Sequence, residues 1–271
     1  MLTVTLSSLP NPPLNLNENK RISKTSISIN WDVDIKITNN IPTLGYVIYI
    51  YLNSIIENTI TTTGVEYTLT NLTPGKNYRV YLKSINALSE TTSNSLDFNV
   101  GTIPSKVINV RRDVSKLSKT SISILFDPPE DNGGNSILYY YIYNADDNSL
   151  ISSIDTSTII SDLGYTFNSL NQGNTLNFII KPNNIIGTYE SEDIYSMICG
   201  TYPSEVSSLQ LNKVNIINSN DNRCNVYLSW TAPSDNGGTS IIKYSLYLSS
   251  DGVQYNAHNL NIPTYSITSW I

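Results

Sequence analysis

Pro128-Pro129-Glu130-Asp131-Asn132-Gly133-Gly134-Asn135-Ser136-Ile137 returns further along the chain as Ala232-Pro233-Ser234-Asp235-Asn236-Gly237-Gly238-Thr239-Ser240-Ile241. Each copy follows a short alternating stretch that closes on an aromatic residue, Phe126 or Trp230, and each precedes a tyrosine-rich stretch. Proline and the glycine pair stop the first stretch, and glycine admits the positive φ that a tight loop needs. Asp and Asn bond back to their own backbone in such loops. The segment therefore reads as strand, loop, strand, used twice, with turn chemistry as the role of the Asp-Asn-Gly-Gly loop.

Working outward, the strand before the loop exists three times. Ser26-Ile27-Ser28-Ile29-Asn30-Trp31, Ser121-Ile122-Ser123-Ile124-Leu125-Phe126 and Asn225-Val226-Tyr227-Leu228-Ser229-Trp230 alternate polar and apolar. A period of two places Ile27, Ile29 and Trp31 on one face, and their equivalents likewise, through Phe126 and Trp230. The first two copies share the hexapeptide Lys-Thr-Ser-Ile-Ser-Ile, at 24–29 and 119–124. The strand after the loop is Tyr46–Tyr49, Tyr140–Tyr143 and Tyr244–Tyr247. Parity turns Tyr46, Tyr140 and Tyr244 to the core. It turns Tyr49, Tyr51, Tyr139, Tyr141, Tyr143 and Tyr247 outward or to the rim.

Further on, residues 67–78 (YTLTNLTPGKNY) and 165–176 (YTFNSLNQGNTL) keep one offset of 98 residues at Tyr67/Tyr165, Gly75/Gly173 and Asn86/Asn184. Gly101-Thr102-Ile103-Pro104-Ser105 and Gly200-Thr201-Tyr202-Pro203-Ser204 mark boundaries 99 residues apart. A period near 100 residues, with about seven short strands each, indicates tandem β-sandwiches. No stretch reads as helix. The expected division is 1–103, with an extension over 1–12, then 104–202 and 203–271.

These residues resemble the fibronectin type III family over nearly the whole chain. Trp31, Phe126 and Trp230 match its aromatic at the end of the second strand. Ile137, Tyr140 and Ile142, with Ile241, Tyr244 and Leu246, match its third strand. Tyr67, Leu69, Leu72, Pro74, Gly75 and Tyr78 match its Tyr-x-Leu-x-x-Leu-x-Pro-Gly-x-x-Tyr segment. Asn86 and Asn184 match its penultimate-strand Asn. The resemblance implies an all-β chain of immunoglobulin-like sandwiches with Trp31, Phe126, Trp230, Tyr46, Tyr140, Tyr244 and Tyr78 in their cores. Three departures stand out. The first repeat carries Asn39-Asn40-Ile41-Pro42 in place of Asp-Asn-Gly-Gly. The second has Leu176 where Tyr78 stands, so it lacks the hydrogen bond of a tyrosine corner. In the third, Trp270 falls where Leu72 and Leu170 sit, so two strands are wanting. The third sandwich is expected to be incomplete, completed by a longer chain or by strand addition from a partner.

The 271 residues carry a net charge of −6 with charged residues at 14%, and no basic cluster larger than Arg111-Arg112, which argues against nucleic-acid binding. No apolar run approaches a membrane span, and the N-terminus lacks the pattern of a signal peptide. Cys199 and Cys224 read as free thiols, not a disulfide framework. A single histidine, His258, removes most His-based catalysis and metal binding. Asp146-Asp147, Glu190/Glu192/Asp193 and Glu130/Asp131 read as solvated acids at strand ends. Asp127, Glu130, Asp131 and Asp235 could face Ca²⁺, but turn chemistry accounts for them. Asn71-Leu72-Thr73 spells a glycosylation sequon that overlaps the structural Leu72. No enzyme and no cofactor is expected.

The function expected is that of a structural or assembly protein working through protein–protein contacts, with other structural proteins or copies of itself. Tyr139, Tyr141, Tyr143 and Tyr247 are the expected contact residues, since exposed Tyr can be a binding hot spot. The short Pro linkers suggest a semi-stiff array. An Asn- and Ile-rich, Ala-poor composition and a start at Met1 without a leader suit a virion component: a fibre, spike or minor capsid protein. The alternatives are an extracellular adhesion or receptor ectodomain and the spacer repeats of a carbohydrate-active enzyme.

Overall fold

A computed structural model describes residues 9–33, 42–158, 162–190, 193–218, 223–250, 253–260 and 264–270. The fold is all-β, a tandem arrangement of β-sandwiches. Among the described residues there is no α-helix, only 3-10 turns at Val114–Lys116 and Thr156–Thr158. Of the sequence features above, Met1, Asn39, Asn40, Ile41 and Glu192, and the side chains of Cys224, Asn225, His258 and Trp270, lie outside the described parts.

The first sandwich is built from β1 (Leu14–Ser23), β2 (Ser26–Asp32), β3 (Gly45–Leu52), β4 (Ile55–Thr62), β5 (Glu66–Leu69), β6 (Asn77–Ile85), β7 (Glu90–Thr92) and β8 (Leu96–Asn99). One sheet runs β1-β2-β5; the other runs β4-β3-β6-β7, with β8 also on β6. Among the described residues the strands number eight, against the seven or so expected. The extra strand is β7, paired with the far end of β6 at Lys83–Ile85, while β8 takes Asn77–Val80. Alternation does the folding. Ile27, Ile29 and Trp31 from one sheet meet Tyr46, Ile48, Ile50, Tyr78, Val80 and Leu82 from the other. Each such side chain taken from water contributes roughly 1.5–3 kcal/mol before chain entropy is charged against it.

The next strands are β9 (Ile108–Arg112), β10 (Ile122–Asp127), β11 (Ile137–Asn144), β12 (Leu150–Asp155), β13 (Gly164–Phe167), β14 (Thr175–Asn184) and β15 (Ile194–Ile198). They form the sheets β13-β10-β9 and β12-β11-β14-β15. Phe126 and Tyr140 are each 2% exposed. The remaining strands are β16 (Ser207–Asn218), β17 (Arg223–Thr231), β18 (Tyr244–Ser250), β19 (Val253–Leu260) and β20 (Thr264–Trp270), in sheets β16-β17-β20 and β18-β19. β17 runs two residues further back and one further on than the alternation alone marked, because both its edges are paired.

By compactness the chain divides into two units: residues 1–109, 127–162 and 178–194 form one, and 110–126, 163–177 and 195–271 the other. In the first unit, Trp31 meets Tyr46 edge-on at 5.3 Å. In the second, Trp230 meets Tyr244 the same way at 5.4 Å. Tyr244, expected as core, is only half-buried. A cavity of about 350 Å³ lined by Leu209, Trp230, Ile241 and Leu246 leaves one side of its ring open. Among the described residues β18 has one hydrogen-bonded neighbour, where β3 and β11 have two.

Candidate functional site

The outward face of the β4-β3-β6 sheet carries the most developed surface feature. On β3, Tyr46, Ile48 and Ile50 point inward, so Tyr49 and Tyr51 point out. On β6, Tyr78, Val80, Leu82 and Ser84 are buried, so Asn77, Arg79, Tyr81 and Lys83 point out. The register sets Tyr49 opposite Tyr81 and Tyr51 opposite Arg79. The β3–β4 hairpin turns on Asn53 and Ser54 at φ 50° and 65°, the left-handed pair a two-residue hairpin requires. That turn closes one end of a groove of about 810 Å³, whose lining includes Tyr49, Tyr51, Tyr81, Arg79, Lys83 and Asp97.

Charge in the groove is paired. Arg79 grips both oxygens of Asp97, at 2.5 and 2.8 Å. That contact raises the Arg79 pKa and lowers that of Asp97. Lys83 bonds to Glu90, which raises the Lys83 pKa. The Lys83 ammonium also sits 5.1 Å from the centre of the Tyr49 ring, within cation–π range. Tyr51 and Tyr81 meet edge to face at 5.6 Å. The result is a concave surface of aromatic faces and compensated charges, suited to an amphipathic protein segment and poorly suited to a bare anion.

The tyrosines singled out in sequence are placed as follows. Tyr139, Tyr141 and Tyr143 lie together on the outward face of β11. Tyr139 and Tyr141 stack at 5.9 Å, and Tyr141 and Tyr143 lie tilted at 6.5 Å. Lys181, across from Tyr141 on β14, reaches over the Tyr143 ring at 5.6 Å. Tyr139 is 37% exposed; its two neighbours are half-buried. Tyr247 is 57% exposed on β18, in the other compact unit. Tyr81, Arg79, Lys83 and Asp97 escaped the sequence reading. The alternation of residues 77–83 carried the signal for the three on β6, because the inward set Tyr78, Val80, Leu82 dictates the outward one.

Three of the acids considered for chemistry, Asp147, Asp193 and Asp127, are engaged by neighbouring side chains or amides. Asp147 accepts from the Ser149 amide and hydroxyl at 2.9 and 2.6 Å. Asp193 accepts from the Tyr189 hydroxyl and from Lys106. Asp127 accepts from the Asn109 side chain at 2.8 Å. Among the described residues no three His, Cys, Asp or Glu side chains converge as a metal site. Cys199 is buried with a free thiol.

The sequence profile of the fibronectin type III domain matches residues 11–99. Among solved structures, a two-domain fibronectin type III segment of chicken tenascin is similar to this chain at 14% identity. The match covers 69% of this chain and 98% of that one, with a TM-score of 0.40.

Proposed function

Since residues 11–99 belong to the fibronectin type III family, we propose that the chain is a non-enzymatic scaffold of three modules, divided at 103/104 and 202/203, that binds other proteins through its outward tyrosine faces. The observation that carries this reading is the groove of Tyr49, Tyr51, Tyr81 and the Arg79–Asp97 pair. Rigid aromatic rings offer contact area at little entropic cost, and tyrosine and arginine are, with tryptophan, the residues enriched at binding hot spots. The stacked row Tyr139, Tyr141, Tyr143 supplies a second such surface, and Tyr247 a third contact point. The edge of β18 that has no neighbour among the described residues would take a strand from a partner.

The setting we assign is an assembled particle, with the chain as a structural component of a virion. Its support is compositional: a weakly charged surface rich in Asn, Ser and Thr, built for packing against neighbours more than for long-range electrostatic steering. Fractionation of the native source tests both parts. Co-sedimentation with particles, lost on Tyr51→Ala/Tyr81→Ala substitution, supports the reading. Recovery with cell membranes or secreted enzyme, or unchanged sedimentation of the double variant, overturns it.

A further inference from the structure

We propose that each Asp-Asn-Gly-Gly loop is an interlocking joint, which docks one sandwich onto a turn, an exit strand and a lysine of the sandwich before it. The sequence pattern assigned these loops to turn formation, and they do cap themselves: Asp131 and Asn132 accept from the amides of Gly133 and Gly134 at 2.8 and 2.9 Å. Asp235 and Asn236 do the same for Gly237 and Gly238 at 2.9 and 3.0 Å. What a turn alone leaves unexplained is where the outer side of each loop lies.

The first loop lies against the end of the first sandwich. The Gly133 carbonyl accepts from the Thr102 amide and the Asp131 carbonyl from the Ser105 amide, at 2.9 and 2.8 Å. The buried Asn135 side chain donates to the Val100 carbonyl at 3.1 Å. Lys24, first residue of the shared hexapeptide, pairs with Asp131 at 3.0 Å. The backbones approach so closely that side chains are excluded. A Cβ on Gly134 would stand 2.6 Å from the Pro74 Cβ, and one on Gly133 2.0 Å from the Thr102 carbonyl oxygen.

The second loop repeats the backbone and lysine contacts, within the other compact unit, though Thr239, exposed where Asn135 is buried, does not repeat the side-chain bond. The Gly237 carbonyl accepts from the Thr201 amide at 2.9 Å and the Asp235 carbonyl from the Ser204 amide at 2.8 Å. Lys119, the same hexapeptide lysine, pairs with Asp235. A Cβ on Gly238 would stand 2.7 Å from the Gln172 side chain, on the turn equivalent to Pro74-Gly75. Three repeats that look unrelated in sequence are thus parts of one device: the lysine of Lys-Thr-Ser-Ile-Ser-Ile, the Gly-Thr-x-Pro-Ser exit and the Asp-Asn-Gly-Gly loop. The ion pairs are exposed and add at most about 1 kcal/mol each. The joint is held mainly by backbone hydrogen bonds and by close packing that only glycine permits.

Limited trypsin digestion of the full chain tests this, because Lys106 follows the exit directly and its bond to the buried Val107 should be shielded while the joint is closed. Gly134→Val should raise the rate of cleavage after Lys106 tenfold or more, and Lys24→Glu by a smaller factor that shrinks in high salt. Gly64→Ala, at a glycine with room for a methyl group, should leave the rate unchanged. Circular dichroism shows whether Gly134→Val keeps its strand content; if it does not fold, Lys24→Glu and its salt dependence decide alone. Unchanged cleavage after Lys106 in a folded Gly134→Val, or in Lys24→Glu at low salt, overturns the proposal.

Discussion

The Tyr78 hydroxyl accepts a hydrogen bond from the Thr73 amide at 3.1 Å, spanning the turn that carries Pro74 and Gly75. Tyr78 is 4% exposed, so its ring is core and only its oxygen reaches the turn. Tyr78→Phe keeps the ring and removes the bond. We expect a loss of about 1 kcal/mol, because Thr73 is exposed and water replaces the lost acceptor. For a domain of this size that lowers the melting temperature by roughly 4–8 °C, measurable by calorimetry.

The second sandwich offers the reverse experiment. Leu170 donates to the Thr120 carbonyl at 2.9 Å, just as Leu72 donates to Thr25 at 3.0 Å, so the two turns begin alike. Leu176 supplies no oxygen where Tyr78 does. Leu176→Tyr should therefore stabilise by up to about 1 kcal/mol. In the unaltered protein the Asn171 amide should exchange with solvent faster than the Thr73 amide. Equal protection of the two amides would show that the hydroxyl does not hold the turn.

Core position and surface position were separable from sequence because a strand has a period of two. That rule alone puts Tyr140 inside and Tyr141 outside, and Ile27, Ile29 and Trp31 on one face. The groove was not legible in the same way. It needs the register that sets Tyr51 opposite Arg79, and hydrogen bonding chooses that register across two strands distant in the chain. The joint was still less legible. Lys24 and Asp131 are both conspicuous as members of repeats, but a repeat gives no sign that one copy's lysine serves the next copy's loop. Tyr244 failed for a third reason: parity gives the direction of a side chain but not whether the space it points into is filled.

In the groove, Tyr81 is the central ring, edge-on to Tyr51 and opposite Tyr49. Tyr81→Ala should weaken partner capture by the intact chain tenfold or more, a loss of about 1.4 kcal/mol or greater, as for a buried hot spot. Arg79→Lys keeps the charge but loses the two-pronged grip on Asp97, and should cost less than Tyr81→Ala. Both changes sit on a surface, so the melting temperature should barely move. Equal affinities for all three proteins, measured by calorimetry or surface binding, would remove the groove from the interface.

Alkali should find the core through Tyr140. Burial pushes its hydroxyl up to about 12 from 10.0. A folded value above the unfolded one contributes stability that is complete below pH 10 and is lost as pH rises toward 12. The contribution is on the order of 2 kcal/mol. Absorbance titration near 295 nm should show the exposed tyrosines ionising first, with a late step that coincides with unfolding. Tyr140→Phe should delay that unfolding, unless Tyr140 ionises along with the surface residues.

Acid should act on the joints. Asp131 is held below the ordinary 3.8 first by the Gly133 amide and then by Lys24. Asp235 is held below it first by Lys119 and then by the Gly237 amide. A depressed folded value means the contribution is present above the unfolded pKa and is lost as pH falls through the folded one. Both carboxylates are partly exposed, so the effect is a loosening of the loops more than a global unfolding. The amide resonances of Gly133 and Gly237 report directly, since each donates to the carboxylate in question. Their chemical shifts should titrate with midpoints below 3.8, and exchange at Thr102 and Thr201 should accelerate over the same range. Lys24→Ala should move the Gly133 midpoint upward and leave that of Gly237 in place, because each lysine serves one joint. A midpoint at or above 3.8 at either amide in the unaltered protein would mean that the carboxylate it reports on is not engaged by its loop.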